Sequence, residues 1–247
     1  MPHVTYRYFS EALQKQTQAE ILLPDPKMTG PFHVMFLLHG LSDDQSIWMR
    51  RTSIERYVAD LPLIVVMPDG GRGWYSDAIA GYAYETAIGK ELPELVEKTF
   101  STKGPWCITG LSMGGYGALK LALRYPERFH SAVSHSGALY FGHNEFTGTD
   151  AFAAEARRVV GETPAGGVND LYALVGKLRP SKMPLVRIDC GTEDFLLEAN
   201  RDFHAHLKEL GVAHEYSEYP GGHTWDYWDL HVQEALEFHA GHLHLNK

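Results

Sequence analysis

Short apolar runs alternate with helix-like segments along most of this chain, and this alternation limits the folds open to it. The runs bounded by Gly or Pro predict central strands at 33–38, 63–67, 106–109, 132–134 and 185–189. Helical patterns lie between or after them at 52–59, 82–99, 114–124, 195–210 and 224–238, and Pro93 is expected to kink or restart the second. Such alternation predicts an α/β fold, with a mostly parallel sheet and helices on both faces.

The remaining segments complete this sheet and cover it. Segments 4–9 and 16–23 alternate in polarity and predict half-exposed antiparallel edge strands, while 215–219 predicts a last strand. Segment 141–182 is interrupted by glycines and has one helical pattern near 170–178, so it is interpreted as a cap-like insertion. With 247 residues and 44% hydrophobic content, a single domain over 1–247 is expected.

Charge and composition exclude several classes of partner. The formal net charge is −9, from 22 Lys and Arg against 31 Asp and Glu, and no basic cluster could follow nucleic acid. The first ten residues lack the pattern of a secretory signal, and no apolar run is long enough for a membrane span, so a cytoplasmic protein is expected. Cys107 and Cys190 lie in apolar runs and predict buried free thiols. The oligomeric state stays open, with a homo-oligomer as one alternative.

A serine stands at the end of one predicted central strand, in Gly110-Leu111-Ser112-Met113-Gly114. A strand before it and a helix after it place this serine on a sharp, strained turn, where small residues two positions to either side prevent collisions with the backbone. The turn exposes the serine Oγ, and the N-terminus of the next helix stabilises negative charge nearby. The pattern predicts that Ser112 is a nucleophile rather than an incidental serine in a glycine-rich turn.

A serine nucleophile requires a base, and the base requires an acid to orient it. In folds with this turn the acid follows a late strand and the histidine follows the last strand. Asp194 and His223 occupy these two places and are predicted as acid and base. Glu193 and Asp189 are the alternative acids.

The chain has 14 histidines, so the choice of base needs an argument. His39, His135 and His214 lie at strand ends and are interpreted as hydrogen-bonding residues of the structure. His223 follows Gly221 and Gly222 in a loop, which allows it to approach a serine.

Stabilisation of an oxyanion requires two backbone N–H groups that converge on one point. The residue after the nucleophile supplies one, here Met113, and the loop after the third strand supplies the other. His39-Gly40-Leu41 ends that strand, and the glycine allows a turn that directs the Leu41 N–H toward Ser112. A plain strand-ending turn is the alternative interpretation.

Five motifs carry a family resemblance: LLHGLSDD at 37–44, PDGGRGWYSD at 68–77, GLSMGGYGAL at 110–119, CGTEDFL at 190–196 and PGGHTWDYW at 220–228. Together they resemble the esterase D-like family of α/β-hydrolases over nearly the whole chain. That family includes tributyrin-type esterases, S-formylglutathione hydrolases, acetylxylan and feruloyl esterases, and mycolyltransferases. The resemblance implies the α/β-hydrolase fold, the triad Ser112, Asp194 and His223, and the oxyanion donors Leu41 and Met113.

The motifs GWYSD and GLSMGGYG are most similar to those of the tributyrin esterases. This similarity implies a carboxylesterase that acts on short-chain acyl esters, so its expected binding partner is a small-molecule ester substrate. S-formylglutathione hydrolases resemble the chain less, because they usually have His at the positions of Leu111 and Tyr116. An acetylxylan or feruloyl esterase remains an alternative. An acyltransferase with the same triad, or a binding protein on an inactive hydrolase fold, belongs to another class.

Aromatic residues near the motifs predict the wall of a substrate pocket, with Trp48, Trp74 and Trp225 as the candidates and simple core packing as the alternative. His239, His242 and His244 cluster near the C-terminus, but no carboxylate or thiolate accompanies them. We therefore predict neither a metal nor an organic cofactor.

Overall fold

Eight strands form one sheet in the computed structural model, which describes residues 1–245. The strands are β1 (His3–Ser10), β2 (Lys15–Leu22), β3 (His33–Leu38), β4 (Leu63–Pro68), β5 (Trp106–Leu111), β6 (Phe129–His135), β7 (Leu185–Gly191) and β8 (His214–Tyr219). Their order across the sheet is β1-β2-β4-β3-β5-β6-β7-β8. Strands β3 to β8 pair in parallel, and β1 and β2 add an antiparallel edge beside β4. The predicted mostly parallel sheet is confirmed.

Helices connect the strands and cover both faces of the sheet. They are α1 (Ile47–Arg51), α2 (Ile54–Tyr57), α3 (Tyr84–Thr86), α4 (Leu92–Thr99), α5 (Met113–Arg124), α6 (Ala151–Val160), α7 (Leu171–Lys177), α8 (Leu197–Glu209) and α9 (Trp225–Leu243). A π-helical turn, Ala87–Glu91, joins α3 to α4, and Pro93 lies in the first turn of α4. Helical conformation continues from α3 through this turn into α4, with Glu91 and Leu92 both helical, so Pro93, which was expected to kink or restart the helix, does not restart it.

The core is divided by the sheet, as the alternation of side chains along β3 shows. Val34 and Phe36 belong to the cluster that packs against α4 and α5, whereas Met35 and Leu37 belong to the cluster that packs against α1, α2 and α9. Successive side chains of a strand point to opposite faces. Helices therefore cover both faces, and residues from both ends of the chain contribute to the core.

Two predictions of local structure were wrong. The helix expected at 52–59 is present only as the shorter α2, and α1, which was not predicted, precedes it. Thr52 is extended between the two helices, and the Ser53 N–H donates to Asp229 Oδ1 of α9 at 2.8 Å. The second half of β2 is buried rather than half-exposed, because β2 also pairs with β4 and lies inside the sheet. Both errors come from contacts with distant parts of the chain.

Segment 141–182, the expected cap-like insertion, leaves the sheet after β6 and returns at β7. It contains α7, as predicted, and also α6, which the sequence interpretation missed. Asp150 caps α6 by accepting a hydrogen bond from the Ala153 N–H, and Gly161 ends the helix with φ of 89°. Arg72, from the loop after β4, forms an ion pair with Glu155 of α6 at 2.6 Å, which joins the insertion to the main sheet.

Candidate active site

Ser112 lies between β5 and α5, at the C-terminal edge of the sheet. Its φ of 53° and ψ of −117° are sterically unfavourable for a residue with a Cβ. The flanking glycines are required by close approach: a Cβ on Gly110 would lie 2.1 Å from the Gly114 carbonyl oxygen, and one on Gly114 would lie 2.5 Å from the Leu38 carbonyl oxygen. The Ser112 N–H donates to the His135 carbonyl at 3.0 Å. The structure thus places Ser112 in the strained strand-to-helix turn that the motif predicts.

His223 and Asp194 complete a line of hydrogen bonds from Ser112. Ser112 Oγ lies 3.1 Å from His223 Nε2, and His223 Nδ1 lies 2.8 Å from Asp194 Oδ2. With the Nδ1–H donating to the carboxylate, Nε2 is free to accept the proton of the serine hydroxyl. Asp194 follows β7 and His223 follows β8, so neighbouring parallel strands bring them to one edge of the sheet.

The Asp194 carboxylate is held in its ionised form. Its side chain is fully buried, whereas the His223 side chain is 20% exposed. Burial alone would raise the pKa of Asp194, but hydrogen bonds from His223 and from the Leu196 N–H outweigh it and hold this pKa below its ordinary value. A fixed negative charge beside Nδ1 can orient the imidazole and stabilise its protonated form.

The alternative acids and bases lie apart from this line. Asp189, within β7, accepts hydrogen bonds from His135 Nδ1 at 2.9 Å and from the Tyr227 hydroxyl at 3.0 Å. The side chain of Glu193 is exposed to solvent. His39 is buried, with Nδ1 at 2.7 Å from the Gly40 carbonyl and Nε2 accepting from the Gly70 N–H at 2.8 Å.

His214, the remaining alternative base, contacts His204 Nδ1 through Nε2 at 2.7 Å. It is the first residue of the edge strand β8, at the end of the strand opposite to His223. The structure therefore brings His223, and none of the three alternative histidines, within hydrogen-bond distance of Ser112 Oγ.

Two backbone N–H groups lie close to Ser112. Met113 is the first residue of α5, and Leu41 follows Gly40 in the loop after β3. A Cβ on Gly40 would lie 3.7 Å from Ser112 Cβ, which shows how closely this loop approaches the serine. Within residues 1–245, neither the Leu41 N–H nor the Met113 N–H has a protein acceptor.

The three candidate tryptophans occupy different surroundings. Trp48 is 1% exposed, donates from Nε1 to the Leu38 carbonyl at 3.0 Å and packs edge-on against Trp225. Trp74 is 2% exposed and stacks on Phe141 with 3.6 Å between ring centroids. Trp225 is partly exposed and also packs against Trp228, whose ring contacts His223. Of the three, Trp225 is the one with solvent-accessible surface near His223.

The C-terminal histidines differ in their surroundings. His239 is fully buried, with Nε2 at 2.8 Å from Thr109 Oγ1 and Nδ1 at 2.7 Å from Ser131 Oγ. His242 packs against Phe238 on α9. No group of three His, Cys, Asp or Glu side chains suited to a metal ion occurs among residues 1–245. Cys107 and Cys190 are both buried as free thiols.

One buried ion pair near the site was not anticipated from the sequence. Lys120 lies about two turns along α5 from Ser112, is 0% exposed, and pairs with Glu85 Oε2 at 2.8 Å. A lysine inside the otherwise apolar run 116–123 was the available signal. Its partners, however, lie far back in the chain, Glu85 in α3 and Tyr75 and Ser76 in the loop after β4.

Comparison with known proteins identifies the family. The model of a family described as putative esterase matches residues 10–239. The chain is 30% identical to the acetyl esterase of Caldicellulosiruptor saccharolyticus, over 94% of this chain and 95% of that protein. It is also 30% identical to an esterase of Mycobacterium tuberculosis, where 89% of this chain aligns with 55% of the longer protein.

Solved structures give the same result. A fluorophosphonate-binding serine hydrolase of Staphylococcus aureus superimposes with a TM-score of 0.86 and 29% identity, over 96% of this chain and 97% of that one. An S-formylglutathione hydrolase of the same organism superimposes with a TM-score of 0.85 and 29% identity, over 96% of this chain and 98% of that one. The fold and these relatives define an α/β-hydrolase that acts on carboxylic esters. The chain belongs to the putative esterase family, which confirms the resemblance found in its motifs.

No helix in the described part of the chain is both long enough and apolar enough to cross a membrane.

Proposed function

We propose that this chain is a serine carboxylesterase that hydrolyses short-chain acyl esters, with Ser112 as nucleophile, His223 as general base and Asp194 as the acid that orients it. The observation that carries this proposal is the unbroken line of hydrogen bonds from Ser112 Oγ to His223 Nε2, at 3.1 Å, and from His223 Nδ1 to Asp194 Oδ2, at 2.8 Å. A serine, a histidine and a carboxylate in this order form the constellation that activates a hydroxyl for attack on an acyl carbon.

In the acylation half of the reaction, His223 Nε2 takes the hydroxyl proton while Ser112 Oγ attacks the ester carbonyl. The carbonyl oxygen becomes an oxyanion, which the Leu41 and Met113 N–H groups stabilise. Such donors act mainly on the transition state, because charge develops on that oxygen only there. Protonated His223 then donates its proton to the leaving alcohol, and the acyl group remains on Ser112.

In the deacylation half, a water molecule replaces the alcohol and His223 takes its proton. The resulting hydroxide attacks the acyl carbon, the same two N–H groups stabilise the second oxyanion, and the carboxylic acid leaves as Ser112 regains its proton. The buried Asp194 carboxylate stabilises the imidazolium in both halves. Every step uses side chains and backbone groups of this chain, without a metal or organic cofactor.

Two observations favour a short acyl group. The motifs GWYSD and GLSMGGYG resemble those of tributyrin-type esterases, and the relative from Caldicellulosiruptor saccharolyticus, which aligns over almost its full length, is described as an acetyl esterase.

A panel of substrates tests this proposal. It consists of p-nitrophenyl esters from acetate to palmitate, methyl ferulate and S-formylglutathione, each measured with the wild-type chain, with Ser112→Ala, and with Ser181→Ala as a control at an exposed serine. We expect the highest kcat/KM on acetate or butyrate, and a loss of at least about 10³-fold in kcat for Ser112→Ala only. Preference for palmitate, or full activity of Ser112→Ala, would contradict the proposal.

Hydrolysis of S-formylglutathione is the second candidate function, because a structure of that description is 29% identical and aligns over 98% of its length. The buried Leu111 and Tyr116 disfavour it, since the corresponding enzymes usually have His at both positions. The same panel decides between the two. An acyltransferase is tested by product analysis with an alcohol acceptor in water, where transfer in excess of hydrolysis would replace the esterase assignment.

A further inference from the structure

Lys120 is a cation in the interior of the protein. Its side chain is 0% exposed, and Nζ donates to the Tyr75 carbonyl at 3.1 Å and to Ser76 Oγ at 2.7 Å, besides its pairing with Glu85 at 2.8 Å. Glu85 also accepts from Arg124 Nε at 2.8 Å. All three Lys120 donors therefore have acceptors, and two of these belong to the loop after β4.

That loop contains two strained residues next to each other. Trp74 and Tyr75 have φ of 53° and 48°, in the left-handed region that residues with a Cβ rarely adopt. Such residues persist only where surrounding contacts enforce their conformation. The Lys120 ammonium group contacts the carbonyl of the second one directly, and Ser76 Oγ links it to the Trp74 carbonyl at 2.8 Å.

The strained conformation directs the Tyr75 side chain toward the loop after β3. The Tyr75 ring is fully buried, and its hydroxyl donates to the His39 carbonyl at 3.0 Å. His39 is two residues before Leu41, and its Nδ1 contacts the Gly40 carbonyl at 2.7 Å. A continuous set of contacts thus runs from Lys120 through Tyr75 to the peptide groups that precede the Leu41 N–H.

A buried ion pair is a poor means of stabilising a fold, because the cost of removing two charges from water often exceeds their attraction. An apolar side chain would fill the same place in α5 without that cost. We propose that Lys120 is a positioning residue: it holds the Trp74–Tyr75 segment so that the Tyr75 hydroxyl fixes the loop carrying the Leu41 N–H opposite Ser112. This inference rests on the proposed role of Leu41 as an oxyanion donor.

The test compares Lys120→Met, Tyr75→Phe and the double variant with the wild-type chain. The readouts are kcat and KM on p-nitrophenyl acetate, normalised to sites titrated with a fluorophosphonate, and inhibition by a methyl trifluoromethyl ketone, whose serine adduct carries an oxyanion. Each single variant should lower kcat about 10- to 100-fold with little change in KM, and should weaken the ketone by a similar factor. Because both act on one contact path, the double variant should lose little more than the worse single variant.

Lys177→Met is the control, since Lys177 also donates to a backbone carbonyl, that of Gly166 in the insertion, and should keep wild-type kcat. Lys120→Met leaves the buried Glu85 carboxylate without its lysine partner. If that variant does not fold, the combination of Lys120→Met with Glu85→Gln removes this charge as well, and Tyr75→Phe still tests the contact to His39. Wild-type kcat per titrated site in Tyr75→Phe, or losses that multiply in the double variant, would overturn the inference. Ser112→Ala separates the two proposals. If Ser112→Ala is active, the esterase mechanism is wrong. If Ser112→Ala is inactive while Lys120→Met keeps full activity, only the positioning role of Lys120 is wrong.

Discussion

Left-handed backbone conformations in this molecule are concentrated around one serine. Six non-glycine residues among 1–245 have positive φ, and four of them follow strand ends at the C-terminal edge of the sheet: Trp74, Tyr75, Ser112 and Ser136. Strain of this kind requires surrounding contacts to maintain it, and it occurs preferentially where function needs a fixed geometry. At the scale of single residues, the backbone strain and the hydrogen bonds of Ser112 therefore both indicate a candidate site at the C-terminal edge of the sheet.

Asp194 and Glu193 are adjacent in sequence and differ in surroundings, which makes them a matched pair. We expect Asp194→Asn to lower kcat on p-nitrophenyl acetate by up to about 10⁴-fold, because the amide no longer accepts the Nδ1–H and the imidazole loses the tautomer it needs. Glu193→Gln should stay within about twofold of wild type, because the Glu193 side chain is exposed to solvent. Steady-state kinetics of the two purified variants measure this difference. An equal loss in Glu193→Gln would transfer the role of acid to that residue.

Elements with a continuous apolar or helical pattern could be predicted from the sequence, and those shaped by distant contacts could not. The central strands, α5 and α9 follow from local patterns, as does the order Ser112, Asp194, His223. The break between α1 and α2 depends on Asp229, about 176 positions from Ser53, and no local pattern contains it. The hydrogen bonds of Lys120 likewise depend on a loop far back in the chain. The omission of α6 was different, because Asp150 and Gly161 were readable end signals for that helix.

The contact between α5 and β3 permits no side chain at one position. We expect Gly114→Ala to destabilise the protein by about 2 kcal/mol or more and to lower kcat, because its Cβ would lie 2.5 Å from the Leu38 carbonyl oxygen and 2.7 Å from that of His39. Gly176→Ala in α7 is the control: a Cβ there meets nothing within 4 Å, and Ala should stabilise the helix by about 0.5 kcal/mol. Urea unfolding of both variants measures the difference. Equal stability of the two would show that α5 can shift away from β3 freely.

For the molecule as a whole, α9 connects the end of the chain to the centre of the sheet. It places His239 between Thr109 of β5 and Ser131 of β6, where the ring is fully buried and both nitrogens have hydroxyl partners. Burial, reinforced by His135 and His242, lowers the pKa of His239 to about 3. His239 is therefore neutral in the folded protein throughout the range in which esters are assayed.

This buried histidine makes global stability depend on pH. In the unfolded chain a histidine has a pKa of about 6.5, so below that pH the unfolded state binds a proton that the folded state excludes. The contribution of His239 to the free energy of unfolding is therefore fully retained above about pH 6.5 and is lost progressively as the pH falls toward the folded pKa of about 3.

Between pH 7.5 and pH 5 the free energy of unfolding should fall by about 2 kcal/mol more in the wild type than in His239→Gln. Urea unfolding at both pH values measures this, with His130→Gln, at an exposed histidine, as the control that should keep the wild-type dependence. If His239→Gln kept that dependence as well, the acid sensitivity would have to come from other groups and the prediction would be wrong.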